Sequence, residues 1–312
     1  MSENRQLLTD MAEGLFAELA GVEFDATWPR LSEAGFATLL VSEDKGGFGG
    51  DWGDLYAVLR LAGRHALPSV LGDTIVAHKV LADALVAAPE GAIGLLDGER
   101  VAFGRHCGAV LAPGKLLPGA ICDWHHGVSP NGSARDRLGG IEGFEVAVRT
   151  NADLRAKGAF VRVAMAAGAL EAGFDLAIEH VNTRVQFGKP LGKFQAVQQA
   201  LAEASSEVAA VLAAGQAAAQ AFDAGDASFE IAAAKWRMNR AVDVAVPILH
   251  RVHGAIGFTM EYPLNRHTRA LMGWRSEFGN DAYWARRLGE RVAKLGGKGL
   301  WREVTARGDR RP

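Results

Sequence analysis

Apolar residues recur at helical spacing along most of the chain, and the breaks in that rhythm mark out its parts. Over residues 5–20, Leu7, Leu8, Met11, Leu15, Phe16 and Leu19 fall at steps close to three and four, the pattern of one buried helix face. Thr27-Trp28-Pro29 opens a short helix through Leu31 and Ala34, and Gly35 ends it. The apolar run Phe36–Val41 is too short to classify by period. Asp51 or Asp54 caps the next helix, which carries Leu55, Val58, Leu59 and Leu61. A further helical block spans Asp73 to Val86, and Pro89-Glu90-Gly91 closes it. These elements define an N-terminal helical domain over residues 1–97.

Residues 98–150 differ in texture. Glycine and proline are frequent and the apolar runs are short: Val101-Ala102-Phe103, Ala109-Val110-Leu111 and Phe144 to Val148. Alternation and β-branching predict strands, in a β section small for an independent domain. From Asp153 the helical period returns. One helix runs to about Asn182, a second carries Phe194, Val197, Leu201, Val208 and Leu212, and a third starts at a Ser228 cap with Pro247 kinking it. A last helix spans roughly Asp281 to Lys294. Four antiparallel helices with short connections predict a bundle over residues 151–295, followed by a flexible tail at 296–312. The fold class is mainly α with a small β section.

Composition narrows the function. Of 312 residues, 49% are hydrophobic and 22% charged, which predicts a large core. A formal net charge of -2 removes the electrostatic footprint of nucleic-acid binding. The two cysteines, Cys107 and Cys122, form no disulfide framework, and with His125-His126 they fall short of a zinc ligand set, so no metal is expected. No apolar run reaches the roughly 18 residues of a membrane span, and the first residues lack a signal-peptide pattern. A cytoplasmic protein without a membrane partner is the expectation.

Candidate chemistry is sparse. Gly46-Gly47-Phe48-Gly49-Gly50 lacks both familiar nucleotide-loop patterns and reads as a turn. Asp123-Trp124-His125-His126 sits in the β section, where adjacent histidines point to opposite sides of a strand; a turn or interface role fits better than catalysis. The more informative stretch is Asn182 to Leu191, where Gly188 and Pro190 break the helix. Arg184, Gln186 and Phe187 stand there at a helix–helix corner. A fixed guanidinium with polar and aromatic neighbours suits a phosphate-bearing ligand; an ordinary solvated loop is the plainer alternative.

The motifs resolve that choice. Arg184-x-Gln186-Phe187-Gly188, with Phe194-Gln195 opening the next helix, resembles the acyl-CoA dehydrogenase family. So does Val252-His253-Gly254-Ala255-Ile256-Gly257-Phe258-Thr259-x-Glu261-Tyr262-Pro263, followed by Arg269, and Val76-Ala77-His78 to Asp97 looks like the family's N-terminal domain. The resemblance covers essentially the whole chain apart from the reduced middle. It implies FAD lying extended across a subunit interface. Arg184 then meets the phosphates of a neighbour's FAD, and Phe187 packs near its adenine end. Gln186 and Gly188 belong to the same motif, and Gln195 fixes the helix or touches the cofactor. The turn with Gly254, Ala255 and Gly257 lets backbone approach the dinucleotide. The activity implied is α,β-dehydrogenation of an acyl-CoA, in lipid or steroid catabolism, with electrons passed to an electron-transfer flavoprotein.

Three departures shape the expectation. Residues 98–150 carry neither the Thr-Glu-Pro-like loop nor the Trp-Ile-Thr/Ser-like strand that cradle the flavin ring in that family. The family's base position, counted from Arg269, falls on Phe278, with Glu277 one residue earlier; the alternative base position falls on Val161. The glutamine that opens the His-Gly-Gly motif is Arg251, and its second glycine is Ala255. This combination resembles the shorter, degenerate subunit of heterotetrameric bacterial, steroid-type acyl-CoA dehydrogenases, which completes the FAD site of a longer homologous partner. Two alternatives stand beside it. One is a self-sufficient homotetramer with Glu277 as base. The other is a scaffold or regulatory subunit without FAD. A flavin-dependent monooxygenase or nitroalkane oxidase of the same fold is conceivable, with nothing in the sequence favouring it. Small residues at Ala166, Ala167 and Gly168 leave room for a bulky acyl group.

Overall fold

Helix α1 (Glu3–Leu19) and helix α3 (Trp52–Arg64) are held together at their N-terminal ends by charge. Asp51 and Asp54 form a reciprocal capping box at the start of α3, and Arg5 of α1 reaches both carboxylates at 2.5–2.8 Å. This computed structural model describes residues 3–308. Between these helices lies α2 (Phe24–Glu33), which begins before Thr27 and contains Pro29 internally; α4 (Leu71–Asp83) follows α3. The unclassified run from Phe36 is a single 3-10 turn.

The β section starts earlier than the composition change at residue 98. Strands β1 (Ile93–Leu95), β3 (Ala109–Ala112), β4 (Lys115–Pro118) and β7 (Val146–Ala147) form one sheet in the order β1-β3-β4-β7, and only β1 and β3 are parallel. Strands β2 (Arg100–Ala102), β6 (Arg135–Ile141) and β5 (Cys122–His125) form an antiparallel second sheet, β2-β6-β5. Val101, Phe103, Val110 and Leu117 from both sheets share a core with Phe24 of α2. His126, just past β5, meets the Arg105 guanidinium at 3.0 Å, and Arg105 is clamped on buried Asp136. That patch is therefore a structural clasp. Among the described residues no cluster of three or more metal-binding side chains occurs.

The bundle comprises α5 (Leu154–Thr183), α6 (Gln195–Asp223), α7 (Ser228–His253) and α9 (Asp281–Gly308). Helix α7 continues through Pro247, and Ser228 is its first residue, its N–H bonded to Asp226 rather than its hydroxyl capping the helix. A fifth helix, α8 (Leu264–Trp274), lies where no element was expected and packs on α5. The segment from 296, expected to be a flexible tail, is helical to Gly308. Gly296 (φ 67°, ψ 167°) breaks α9, and the ion pair between Arg291 and Glu303 shows that the chain doubles back there. A straight helix would separate those residues by about 18 Å.

Helix α5 is the axis of the molecule, and its small residues explain why. A Cβ on Gly168 would lie 1.8 Å from the Arg60 carbonyl, and one on Gly63 would lie 1.8 Å from the Met165 carbonyl. Helices α3 and α5 thus touch backbone to backbone. Ala166 and Ala167 are wholly buried in the same core. The small residues at 166–168 serve helix packing and leave no acyl cavity there. Among the described residues no helix is long and apolar enough to cross a membrane.

Candidate functional site

The break after α5 folds as a two-residue hairpin. Strand β8 (Val185–Gln186) pairs with β9 (Lys189–Pro190), and the central residues Phe187 and Gly188 both have positive φ, 53° and 78°. Positive φ at both positions is the twist-compatible turn for a tight hairpin. Arg184, at the C-cap of α5, is thereby held at the base of the hairpin, and its carbonyl accepts from Leu191 N–H at 2.9 Å. Lys189 Nζ lies 4.3 Å from the Phe194 ring, fastening the hairpin to the start of α6.

The second motif begins at the end of α7. Gly254 adopts φ 65° and ψ -145°, a combination that only glycine takes without strain, and it turns the chain into a 3-10 segment, Gly254–Phe258. The two motifs meet across a groove of about 680 Å³. Arg184, Gln186, Arg251, Gly254 and Ala255 all line it. Gly257 is buried behind it, where an added Cβ would press on His253 at 2.9 Å. Gln195, the first residue of α6, is exposed outside the groove. Phe187 and Gly188 also lie outside it, at the hairpin tip, where the Phe187 ring is 90% exposed.

Two histidines complete the groove. His180 and His253 stack with ring centroids 4.8 Å apart. Nδ1 of His253 lies 2.7 Å from the Leu249 carbonyl, which makes that nitrogen the N–H donor; Nε2 is buried and bonds nothing in the chain. Burial, then the neighbouring His253 and Arg184, hold the His180 pKa below its ordinary value. Among the described residues no ion pair engages Arg184 or Arg251. Two uncommitted guanidinium groups, a glycine backbone open to solvent and an unsatisfied ring nitrogen on one groove are the chemistry of an anion site with a polar neighbour.

A second groove, of about 480 Å³, lies between α2, the 66–68 segment, the β5–β6 loop and α8. It shares Pro68, Phe103, Asn131, Ser133 and Ala134 with a cleft of only about 40 Å³, so the groove narrows inward. The cleft ends on Arg162 and Glu277. A space of that size holds a water or two and no flavin ring.

Glu277 does not sit as a base requires. Its Oε2 is 2.5 Å from Arg162 Nε and its Oε1 is 3.0 Å from Arg135 Nη1. Burial raises its pKa, but the Arg162 and Arg135 charges outweigh it and hold the carboxyl below the usual range. Both oxygens are engaged and the proton affinity is low, the reverse of a general base. Arg162 also bonds Asp73 at 2.7 Å and 3.1 Å, and Arg135 bonds Asp97 at 2.8 Å. Phe278 is 1% exposed; its N–H donates to Asp97, and an added Cβ on Gly158 would lie 2.4 Å from its ring. Val161 is wholly buried. Both positions expected for a base, Phe278 and Val161, are sealed by packing.

Comparison with known proteins accords with this geometry. Residues 142–293 match the acyl-CoA dehydrogenase C-terminal domain. The chain is 28% identical to acyl-CoA dehydrogenase IpdE2 of Mycobacterium tuberculosis over 298 residues, covering 87% of this chain and 92% of the relative. It is 25% identical to the protein of the same name in Mycolicibacterium smegmatis, covering 92% and 98%. Its fold is shared with a variant of the Tcur3481-Tcur3483 steroid ACAD (TM-score 0.81, 21% identity, covering 94% and 98%). The ChsE4-ChsE5 complex of Mycobacterium tuberculosis is similar to nearly the same degree (TM-score 0.78, 20% identity, covering 94% and 98%). Both motifs of the groove lie within residues 142–293, the part of the chain that matches the acyl-CoA dehydrogenase C-terminal domain, and the chain as a whole is similar to acyl-CoA dehydrogenases in sequence and in fold.

Proposed function

We propose that this chain is the cofactor-completing subunit of an FAD-dependent acyl-CoA dehydrogenase, acting on a bulky, steroid-type acyl-CoA beside a longer homologous partner. The observation that carries the reading is the contrast between two sites. The groove at Arg184 and Arg251 is open and uncommitted. The cleft at Glu277, where a catalytic carboxylate would stand, is filled by an ion-pair network. Members of the family are FAD-dependent, and the open groove fits the diphosphate end of that cofactor. Arg184 and Arg251 would hold the phosphates, Gly254 and Ala255 would give backbone access, and His253 Nε2 would take a hydrogen bond. FAD supplies the hydride acceptor for the dehydrogenation. This chain's residues contribute binding, orientation and exclusion of water at the shared face, and an electron-transfer flavoprotein is the expected electron acceptor. Two structural neighbours, the Tcur3481-Tcur3483 steroid ACAD and the ChsE4-ChsE5 complex, support both the partner and the acyl class.

Co-expression with a longer family member tests the reading. The purified complex should be yellow and active, and this chain alone should retain no flavin. Arg184→Ala and Arg251→Ala should each weaken flavin retention by roughly 10- to 100-fold, the worth of a charge-assisted contact. A yellow, active homo-oligomer of this chain alone would overturn the proposal. The self-sufficient alternative gains nothing from Glu277 as placed, and a subunit indifferent to FAD predicts no flavin loss in either arginine variant.

A further inference from the structure

On the opposite side of α5 from the cleft lies a lysine that the proposed function does not use. Lys157 stands in the first turn of α5, beside the 153 cap. Its Nζ is 4.4 Å from the centroid of the Trp52 ring and 5.2 Å from that of Phe222, and these two rings stack 4.3 Å apart. No carboxylate lies within ion-pair distance of it among the described residues. It lines a cavity of about 260 Å³ whose other walls include Phe222, Ile231, Trp284 and Arg287.

An amine in that position is unusual in two ways. Aromatic faces and aliphatic carbon replace the water that would stabilise its charge, so burial, with Lys79 adding to the effect, pushes its pKa down to about 8; Asp83 and Asp153 act weakly the other way. The remaining charged groups on the cavity are Asp226 and Arg287, and Arg287 is turned to the Tyr283 hydroxyl at 3.0 Å. The cavity is also open to solvent on one side, with Lys157 only partly buried. Lys235 makes the contrast. Its pKa is lowered further, to about 7, but it is wholly buried and its ammonium is bonded to Asn239 and to the Trp274 and Arg275 carbonyls at 2.8–3.0 Å. An electrophile cannot reach it.

We propose that Lys157 is a self-acylation site, taking short acyl groups from acyl-CoA thioesters into the Trp52–Phe222–Trp284 cavity. The neutral amine attacks the thioester carbonyl. The Nζ–C bond forms, the C–S bond breaks, and coenzyme A leaves as the thiol with the proton that nitrogen gives up. No oxidant or reductant takes part. The product is a neutral amide whose acyl group lies against the aromatic walls. The choice of acyl-CoA as donor rests on the proposed function, which brings such thioesters to this protein; the reactivity of the amine does not.

The test is a peptide map by mass spectrometry of the full chain, and of its complex, after timed exposure to acetyl-CoA, butyryl-CoA or N-acetoxysuccinimide, an acyl donor without coenzyme A. At pH 7.5 Lys157 should be acylated at least tenfold faster than the exposed Lys193 and Lys298 with all three donors. Its rate should level off above about pH 8 while theirs keeps rising, and Lys157→Arg should remove the fast site. A lead with N-acetoxysuccinimide alone overturns the acyl-CoA assignment, and no lead with any donor overturns the site. Flavin retention is read separately, from the colour of the same complex, so failure of either idea is visible without the other.

Discussion

Phe187 holds a left-handed backbone position, φ 53°, with its ring 90% exposed. Both features cost something in an isolated chain: a bulky residue is strained at that φ by about 1–2 kcal/mol, and asparagine accepts it more readily. Phe187→Asn should therefore stabilise the isolated chain by up to about 1 kcal/mol, seen as a small rise in Tm. In the proposed complex it should weaken flavin retention, because it removes the exposed ring that the family resemblance assigns to the adenine end of FAD. Unchanged retention would remove Phe187 from the shared site. Glu277 makes the opposite case. Glu277→Gln leaves the buried Arg162 and the partly buried Arg135 short of one negative charge and should cost about 3–5 kcal/mol in a denaturant titration. Turnover per folded complex should be unchanged; its loss at unaltered stability would restore Glu277 as a base.

At the scale of elements, the long helices were legible because their buried faces are nearly all apolar, and a cap at Asp51 or Asp54 was legible because it is local, though not that the two cap each other. Helix α8 was not. Its buried face mixes Leu264, Ala270 and Leu271 with His267, Thr268 and Gly273, which blurs the apolar period. The groove was half legible: Arg184 and Arg251 lie in motifs, whereas the His180–His253 stack is a contact between α5 and α7 that no local pattern announces. The fate of Glu277 was hidden for the same reason, since its partners Arg162 and Arg135 are 115 and 142 residues away in the chain. Helix α8 also carries a pH dependence. His267 packs against the α3 backbone at Gly63, and burial pushes its pKa down from 6.5 to about 4, with Arg266, His65 and Arg64 contributing. The folded state then binds fewer protons than the unfolded one between those values. The stability it contributes is whole above about pH 6.5 and is lost as pH falls toward 4, a change of roughly 3 kcal/mol. Denaturant midpoints at pH 7, 5.5 and 4 should show the decline, and His267→Gln should flatten it.

At the scale of the molecule, one buried network ties the three parts together. Asp73 comes from α4, Asp97 from the turn between β1 and β2, Arg135 from β6, Arg162 from α5, and Glu277 from the segment after α8. Lys235 of α7 closes it from below by holding the Trp274 and Arg275 carbonyls. Phe278 is locked into this assembly: its carbonyl accepts from Trp284 Nε1 at 3.2 Å, and the Arg162 guanidinium lies 5.0 Å from its ring centre. Phe278→Glu would add a second carboxylate beside Glu277, in a space closed by Gly158, with the neighbouring arginines already matched by acids. It should lose several kcal/mol of stability and gain no dehydrogenase activity, which a thermal melt and a dye-reduction assay would show together. On the proposed function, no single substitution at this filled cleft makes the chain self-sufficient, and its activity is bound to that of its partner.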